Sequence, residues 1–244
     1  MILLFFSTSI VGVVTGSNSL VTVPVMFQFG IDEKVAIATN MFGLTFMAIG
    51  GTIPFVRQGR IEFRKLTPLI VLTIVGSAIG ALLVGLITGQ SIKLIVTISM
   101  IVMIVFTLVR HKPVNVTDRS SHAPRPATVI TYLLTFLLAI YGGLYSGGYV
   151  TVLTATLVTF AAMSFTESVA ATKFINVFSS GIATLVFMWQ GLVDYQLGIF
   201  LAAAMFAGAY VGAHYATKMN DIWLKRIFVA TVLILAIKTL FDFL

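Results

Sequence analysis

The chain of 244 residues contains no cysteine, and that absence excludes disulfides, thiolate chemistry and cysteine-ligated metal sites together. Charge is scarce as well: 9% of residues are Asp, Glu, Lys or Arg, against about a quarter in an ordinary soluble domain. The eight acids (Asp32, Glu33, Glu62, Asp118, Glu167, Asp194, Asp221 and Asp242) all fall in polar breaks or at the ends of apolar segments. No span therefore carries the central carboxylate that proton relays use. The three histidines, at 111, 122 and 214, form no cluster, and a membrane hydrolase would need a nucleophile, base or metal-ligand constellation. No catalytic residue, metal ligand or cofactor is expected, and the chain reads as a non-enzyme. Ten-residue blocks of alternating apolar and polar residues, the pattern of a transmembrane β-barrel, are missing too.

What is present is apolar. Hydrophobic residues make up 59% of the chain, the mean hydropathy is +1.07, and runs near the ~20 residues needed to cross a bilayer follow one another. This predicts an all-α polytopic membrane protein whose loops alone meet water. Apolar runs and Gly, Pro and charge breaks place segments at 2–15, 19–29, 34–56, 66–88, 91–109, 127–147, 149–162, 167–188, 195–216 and 223–243. The first segment lacks a basic leader and a small-residue cleavage site, so it reads as structural rather than as a signal peptide. Between the fifth and sixth lies HKPVNVTDRSSHAPRP, residues 111–126, which holds three of the six prolines and reads as a solvated linker. It separates a first transmembrane repeat, 1–110, from a second, 127–244.

The repeats are visible as matched motifs offset by about 132 residues. Gly12-Val-Val-Thr-Gly16 aligns with Gly143-Leu-Tyr-Ser-Gly147, and Val35-Ala-Ile-Ala-Thr-Asn40 with Ser168-Val-Ala-Ala-Thr-Lys173. RQGRIEF at 57–63 aligns with WQGLVDY at 189–195, and the glycines at 76 and 80 with those at 208 and 212. The QG loops differ in charge: Arg57, Arg60, Arg64 and Lys65 surround the first, whereas 189–196 contains no Lys or Arg. By the positive-inside rule the first loop is cytoplasmic and the second is not, which is the pattern of inverted-topology repeats in secondary transporters. The same scheme puts the linker in the cytoplasm and eleven of the fifteen basic residues on that side, leaving Lys34, Lys93, Lys173 and Lys238. The net charge of +7 thus reports orientation rather than nucleic-acid binding.

Two features point to a site. Segments 2–29 and 127–162 are interrupted by Thr15-Gly-Ser-Asn-Ser19 and Ser146-Gly-Gly-Tyr149. Such breaks at membrane depth are tolerated only where they are buried in protein or line a cavity, and paired breaks in matching places are a pointer to a transport site near the midplane. Their helix N-termini would suit an anion. Packing is the other reading of Gly-rich breaks, and the one that suits the GxxxG patterns at Gly76/Gly80 and Gly208/Gly212. The second feature is the pair Thr39-Asn40 and Thr172-Lys173, about six residues and roughly 9 Å into their helices. An intramembrane lysine is a functional candidate by default; Lys173 snorkelling to the interface, or pairing with Glu167, are the alternatives. Substrate contacts are expected from Ser17, Asn18, Ser19, Ser146, Gly147 and Gly148, completed by Thr39, Asn40, Thr172 and Lys173.

At these motifs the chain resembles the TauE/SafE family of sulfite exporters, also called the toluene sulfonate uptake permease family, over almost its whole length. The resemblance rests on the duplicated break, the first copy followed by Pro24, on the Ala-x-Ala-Thr-Asn and Ala-Ala-Thr-Lys helices, on the QG loops and on the GxxxGA helices. The family commonly carries a run of glycines at the first break, where this chain has only Gly16, while Gly147-Gly148 keeps the pattern at the second. The resemblance implies a multi-pass inner-membrane transporter of a small sulfur-containing anion such as sulfite, sulfoacetate or a related organosulfonate, working by alternating access. A passive anion channel is the alternative. Expected partners are a small anionic substrate and the lipid bilayer, with a homo-oligomer left open and no nucleic acid.

Overall fold

The computed structural model describes residues 1–16, 18–59, 63–109 and 125–220, together with Ile222, Trp223 and Arg226. Most of the expected last segment, most of the linker, the middle of the RQGRIEF loop and Ser17 lie outside the described residues. Among those described, every regular element is a helix: α1 Ile2–Thr15, α2 Ser19–Gln28, α3 Glu33–Arg57, α4 Phe63–Leu86, α5 Gly89–Val109, α6 Arg125–Leu144, α7 Tyr149–Phe160, α8 Phe165–Trp189 and α9 Tyr195–Ala216. Four of them, Glu33–Arg57, Arg64–Leu86, Phe165–Trp189 and Tyr195–Ala216, are long and apolar enough to cross a membrane. Arg125 and Pro126, expected in the linker, belong to α6. A proline in the first helical turn gives up no intrahelical bond, so it can open a helix.

Three of the acids that the sequence places at segment ends cap helices. Asp32 accepts from the backbone N–H groups of Lys34 and Val35 at 2.9 and 3.2 Å, Asp194 accepts from Leu197 at 3.0 Å, and Ser164 with Glu167 forms a reciprocal capping box at the start of α8. α1 stops at Gly16, which takes a left-handed φ of 71° and donates its N–H to the carbonyl of Gly12. A side chain at Gly16 would also run into Val150, its Cβ lying 2.6 Å from that of the valine. Glycine is required there twice over, by conformation and by the close approach of α7.

α3 and α8 are both 25 residues long, and their starts, like those of the GxxxG helices α4 and α9, lie about 132 residues apart. Their aromatic pairs recur at matching places, Phe42 with Phe46 at 5.1 Å between centroids and Phe174 with Phe178 at 5.3 Å. The two helices pack together in opposite directions. Thr45 on α3 meets Thr184 on α8 at 3.0 Å, and Thr39, early in α3, accepts from the backbone N–H of Asp194, just past the end of α8, at 3.0 Å. At the other end of α3, Arg57 reaches Tyr210 at 3.4 Å. The RQG and WQG turns therefore sit at opposite ends of α3.

The GxxxG glycines are packing surfaces, and each serves the helix that opens the other half. A Cβ on Gly80 would come within 2.7 Å of the backbone of Leu144 on α6, and one on Gly212 within 2.8 Å of the backbone of Ile10 on α1. Without side chains α4 lies against α6 and α9 against α1 at backbone distance, as small-residue interfaces in membranes allow. These contacts hold the two short broken segments against long helices at the centre of the bundle.

Candidate functional site

Neither α1 nor α2 is long enough to span a bilayer alone: 14 and 10 residues give lengths of about 21 and 15 Å. Gly16 and Asn18 at the first break and Tyr145–Gly148 at the second lie in the interior, and the two breaks are tied to each other. Tyr145 donates its hydroxyl to the carbonyl of Ser19 at 3.0 Å, and Thr151 donates to the carbonyl of Thr15 at 2.6 Å. Within the second break the hydroxyl of Tyr141 bonds the carbonyl of Gly147. The C-terminal ends of α1 and α6 and the N-terminal ends of α2 and α7 are thereby brought together.

A cavity of about 10 Å3 opens between these ends, room for about one water molecule. Its polar lining comes from Asn18 and Ser19 at the first break, Ser146 at the second, and Lys173 and Asn176 on α8. Its apolar lining comes mainly from Leu44, Met47 and Ala48 on α3, with Val150. As the helices stand, the space is too small for anything larger than a water molecule.

Lys173 is 3% exposed, and its ammonium donates to the carbonyl of Gly12 at 3.4 Å. That carbonyl belongs to the C-terminal turn of α1 and already accepts from Gly16 at 2.8 Å, so the cation faces the negative end of a helix dipole. No ion pair reaches it among the described residues. Glu167 is committed to the cap of α8, accepting from the N–H of Ser164 at 2.9 Å, which removes the expected alternative of a Lys173–Glu167 pair. The bond inward to Gly12 removes the snorkelling alternative as well. An unpaired buried ammonium costs several kcal/mol after relaxation. Beside it, the amide nitrogen and oxygen of Asn18 and the amide oxygen of Asn176 are buried without a partner, each at a cost of about 1–3 kcal/mol. The positive charge and the unmet amide nitrogen of Asn18, gathered on one cavity, are groups that an anion would complete.

The expected contact residues divide into two groups. Asn18, Ser19, Ser146 and Lys173 line the cavity, while Ser17 lies outside the described residues. Asn40 is absorbed by the fold: its amide donates to Ser19 at 3.0 Å and accepts from Thr22 at 2.7 Å. Thr172 bonds Thr154 at 3.1 Å, Thr39 holds Asp194, and Gly147 is packed on the ring of Tyr145. Gly148, with φ of 82°, starts α7 in a conformation that favours glycine. None of these five lines the cavity. Asn176, missed by sequence reading, had a signal: it stands three residues after Lys173, hence on the same helical face, as an amide inside an apolar run.

The register of the repeat also shifts. The Thr22–Asn40 bond recurs as Thr154–Thr172, so Thr172 takes the place of Asn40. Lys173 then corresponds to Met41, one residue away from the pairing suggested by the shared Ala-Thr dipeptides.

Comparison with known proteins gives one family. The model described as sulfite exporter TauE/SafE matches residues 1–239. A "probable membrane transporter protein ORF9" of Sinorhizobium sp. is 27% identical over 97% of this chain and 90% of its own length. The "probable membrane transporter protein YfcA" of Escherichia coli strain K12 is 24% identical over 98% and 89%, and YdhB of Bacillus subtilis, named in the same words, is 25% identical over 93% and 92%. No solved structure matches the chain.

Proposed function

We propose the following function for this chain, which belongs to the sulfite exporter TauE/SafE family of membrane transporters: it carries a small sulfur-containing anion, such as sulfite or an organosulfonate, across the cell membrane by alternating access. The observation that carries this reading is the buried, unpaired ammonium of Lys173 beside the unmet amides of Asn18 and Asn176 at the meeting of two broken segments. An anion would balance the ammonium of Lys173 and accept from the amide nitrogen of Asn18, which has no partner. Ser19 and Ser146 add hydroxyl groups; Ser17 is retained as a contact of the same break.

The two halves, 1–110 and 127–244, are read as inverted repeats joined by a cytoplasmic linker at 111–126. Supporting this are the opposed directions of α3 and α8, the opposite placement of the QG turns and the charge difference between those turns. An inverted pair can exchange conformations about a shared central site, which is what alternating access requires.

Purified protein in liposomes should take up labelled sulfite or an organosulfonate, and unlabelled anion on the far side should accelerate uptake. Flux without that acceleration would mean a channel. A Lys173→Ala, Ser146→Ala double variant that transports like the wild type would remove the site from this cavity.

A further inference from the structure

The lining of the cavity is unequal in a way that bears on its substrate. α8 contributes Lys173 and Asn176, and the first break contributes Asn18; α3 contributes Leu44, Met47 and Ala48. Lys173 is the one charged residue in that lining among the described residues. We infer that the site takes a singly charged anion with its charge at one end and a small apolar group at the other, and rejects dianions. This rests on the transport reading above and narrows it.

The reasons are electrostatic and steric. One ammonium balances one negative charge; a second charge would stay uncompensated where the effective dielectric is low and the interaction strong. No further cation stands ready to meet it. The helix dipoles do not supply one, because carbonyl ends and N–H ends arrive at the cavity in equal number. The amides of Asn18 and Asn176 each bring an oxygen as well as a nitrogen, and a buried acceptor oxygen repels surplus negative charge while accepting from a protonated or neutral group. On the α3 side there is no donor. A thioether, an isobutyl group and a methyl group would desolvate a second charged end without compensation, whereas they would pack against a methyl group.

Methanesulfonate, sulfate and sulfoacetate separate charge from shape, since the first is a monoanion with a methyl end, the second a compact dianion and the third a dianion charged at both ends. With each labelled in turn and tested alone in proteoliposomes, initial uptake per unit concentration should be at least about tenfold higher for methanesulfonate than for either dianion. Leu44→Asn, which gives α3 the amide that α8 has, should narrow that ratio; a ratio within one variant is insensitive to how much protein folds. Dianions carried as well as methanesulfonate would overturn the inference and leave the transport reading standing. An unchanged ratio in Leu44→Asn would overturn the role of the apolar side. No uptake of any of these anions or of sulfite would remove the transport reading, and the inference with it.

Discussion

Helices α3 and α8 have the same length and pack against each other through equivalent faces, yet they present opposite chemistry to the centre of the protein. Met41, Leu44, Met47 and Ala48 on α3 correspond in register to Lys173, Asn176, Ser179 and Ser180 on α8, and all eight are buried. Polarity by itself does not mark the site, because the two serines are satisfied: Ser179 meets Ser77 at 2.7 Å and Ser180 donates to the carbonyl of Asn176 at 2.6 Å. What separates the cavity end of α8 is a buried ammonium with no ion pair among the described residues, at Lys173, held only by the carbonyl of Gly12, and an unmet amide oxygen, at Asn176. A symmetric scaffold thus carries an asymmetric site. Selection for packing would fill both faces with apolar side chains, as on α3, so a buried lysine with no ion pair among the described residues is retained at a cost in stability.

The change that tests this contrast hardest gives α8 the residue α3 already has. Lys173→Met should lower anion uptake roughly 30-fold or more, since removing one partner of a buried charge pair costs about 2–5 kcal/mol. The same variant should be at least as resistant to thermal unfolding in detergent as the wild type, because an apolar side chain of similar length replaces an uncompensated buried charge. Loss of function with gain of stability is the expected pair of outcomes. Loss of both would make Lys173 a structural residue.

Much of this scaffold could be read from the chain. The ends of α3, α8 and α9 follow from Asp32, Ser164 and Asp194, each a good cap standing before an apolar run, and the breaks follow from Gly16 and Gly147-Gly148. The side-chain directions did not follow. Thr39, Asn40 and Thr172 stand near the breaks in sequence, but a helix turns 100° per residue, and one residue of register decides whether a group enters the cavity or a neighbouring helix. The Ala-Thr dipeptides drew Asn40 into line with Lys173, while the hydrogen bonds pair it with Thr172. An ionisable group in an apolar run is the louder signal, but a lone amide such as Asn176 is as informative once its spacing from Lys173 is considered.

A smaller effect is expected where the two halves are most alike. Asn40 joins α3 to α2 through two bonds, to Thr22 and Ser19, and Thr172 joins α8 to α7 through one, to Thr154. Asn40→Ala would remove both bonds, leaving the Thr22 hydroxyl only its bond to the carbonyl of Asn18, and should cost about 2 kcal/mol. Thr172→Val keeps the shape and removes a single hydroxyl, and should cost about 1 kcal/mol. Chemical unfolding of both variants in one detergent gives the difference; equal losses would show that the second half depends on its single bond as much as the first does on two.

The smallest effect belongs to the helix starts. α3 begins with an ion pair, Glu33 to Lys93 at 2.6 Å, that ties it to α5, and the side chains are 21% and 59% exposed. α8 begins with Phe165 at the matching position and relies on its capping box instead. An ion pair open to water contributes about 1 kcal/mol or less and weakens as salt screens it, whereas a capping box acts over bonded distances and is far less sensitive to salt. Lys93→Ala should therefore shift stability by no more than about 1 kcal/mol at low ionic strength, and the shift should shrink at high salt. Ser164→Ala should cost about 1 kcal/mol under both conditions. A Lys93→Ala effect that persisted in high salt would mean that the contact of α3 with α5 depends on packing of the lysine stem rather than on its charge.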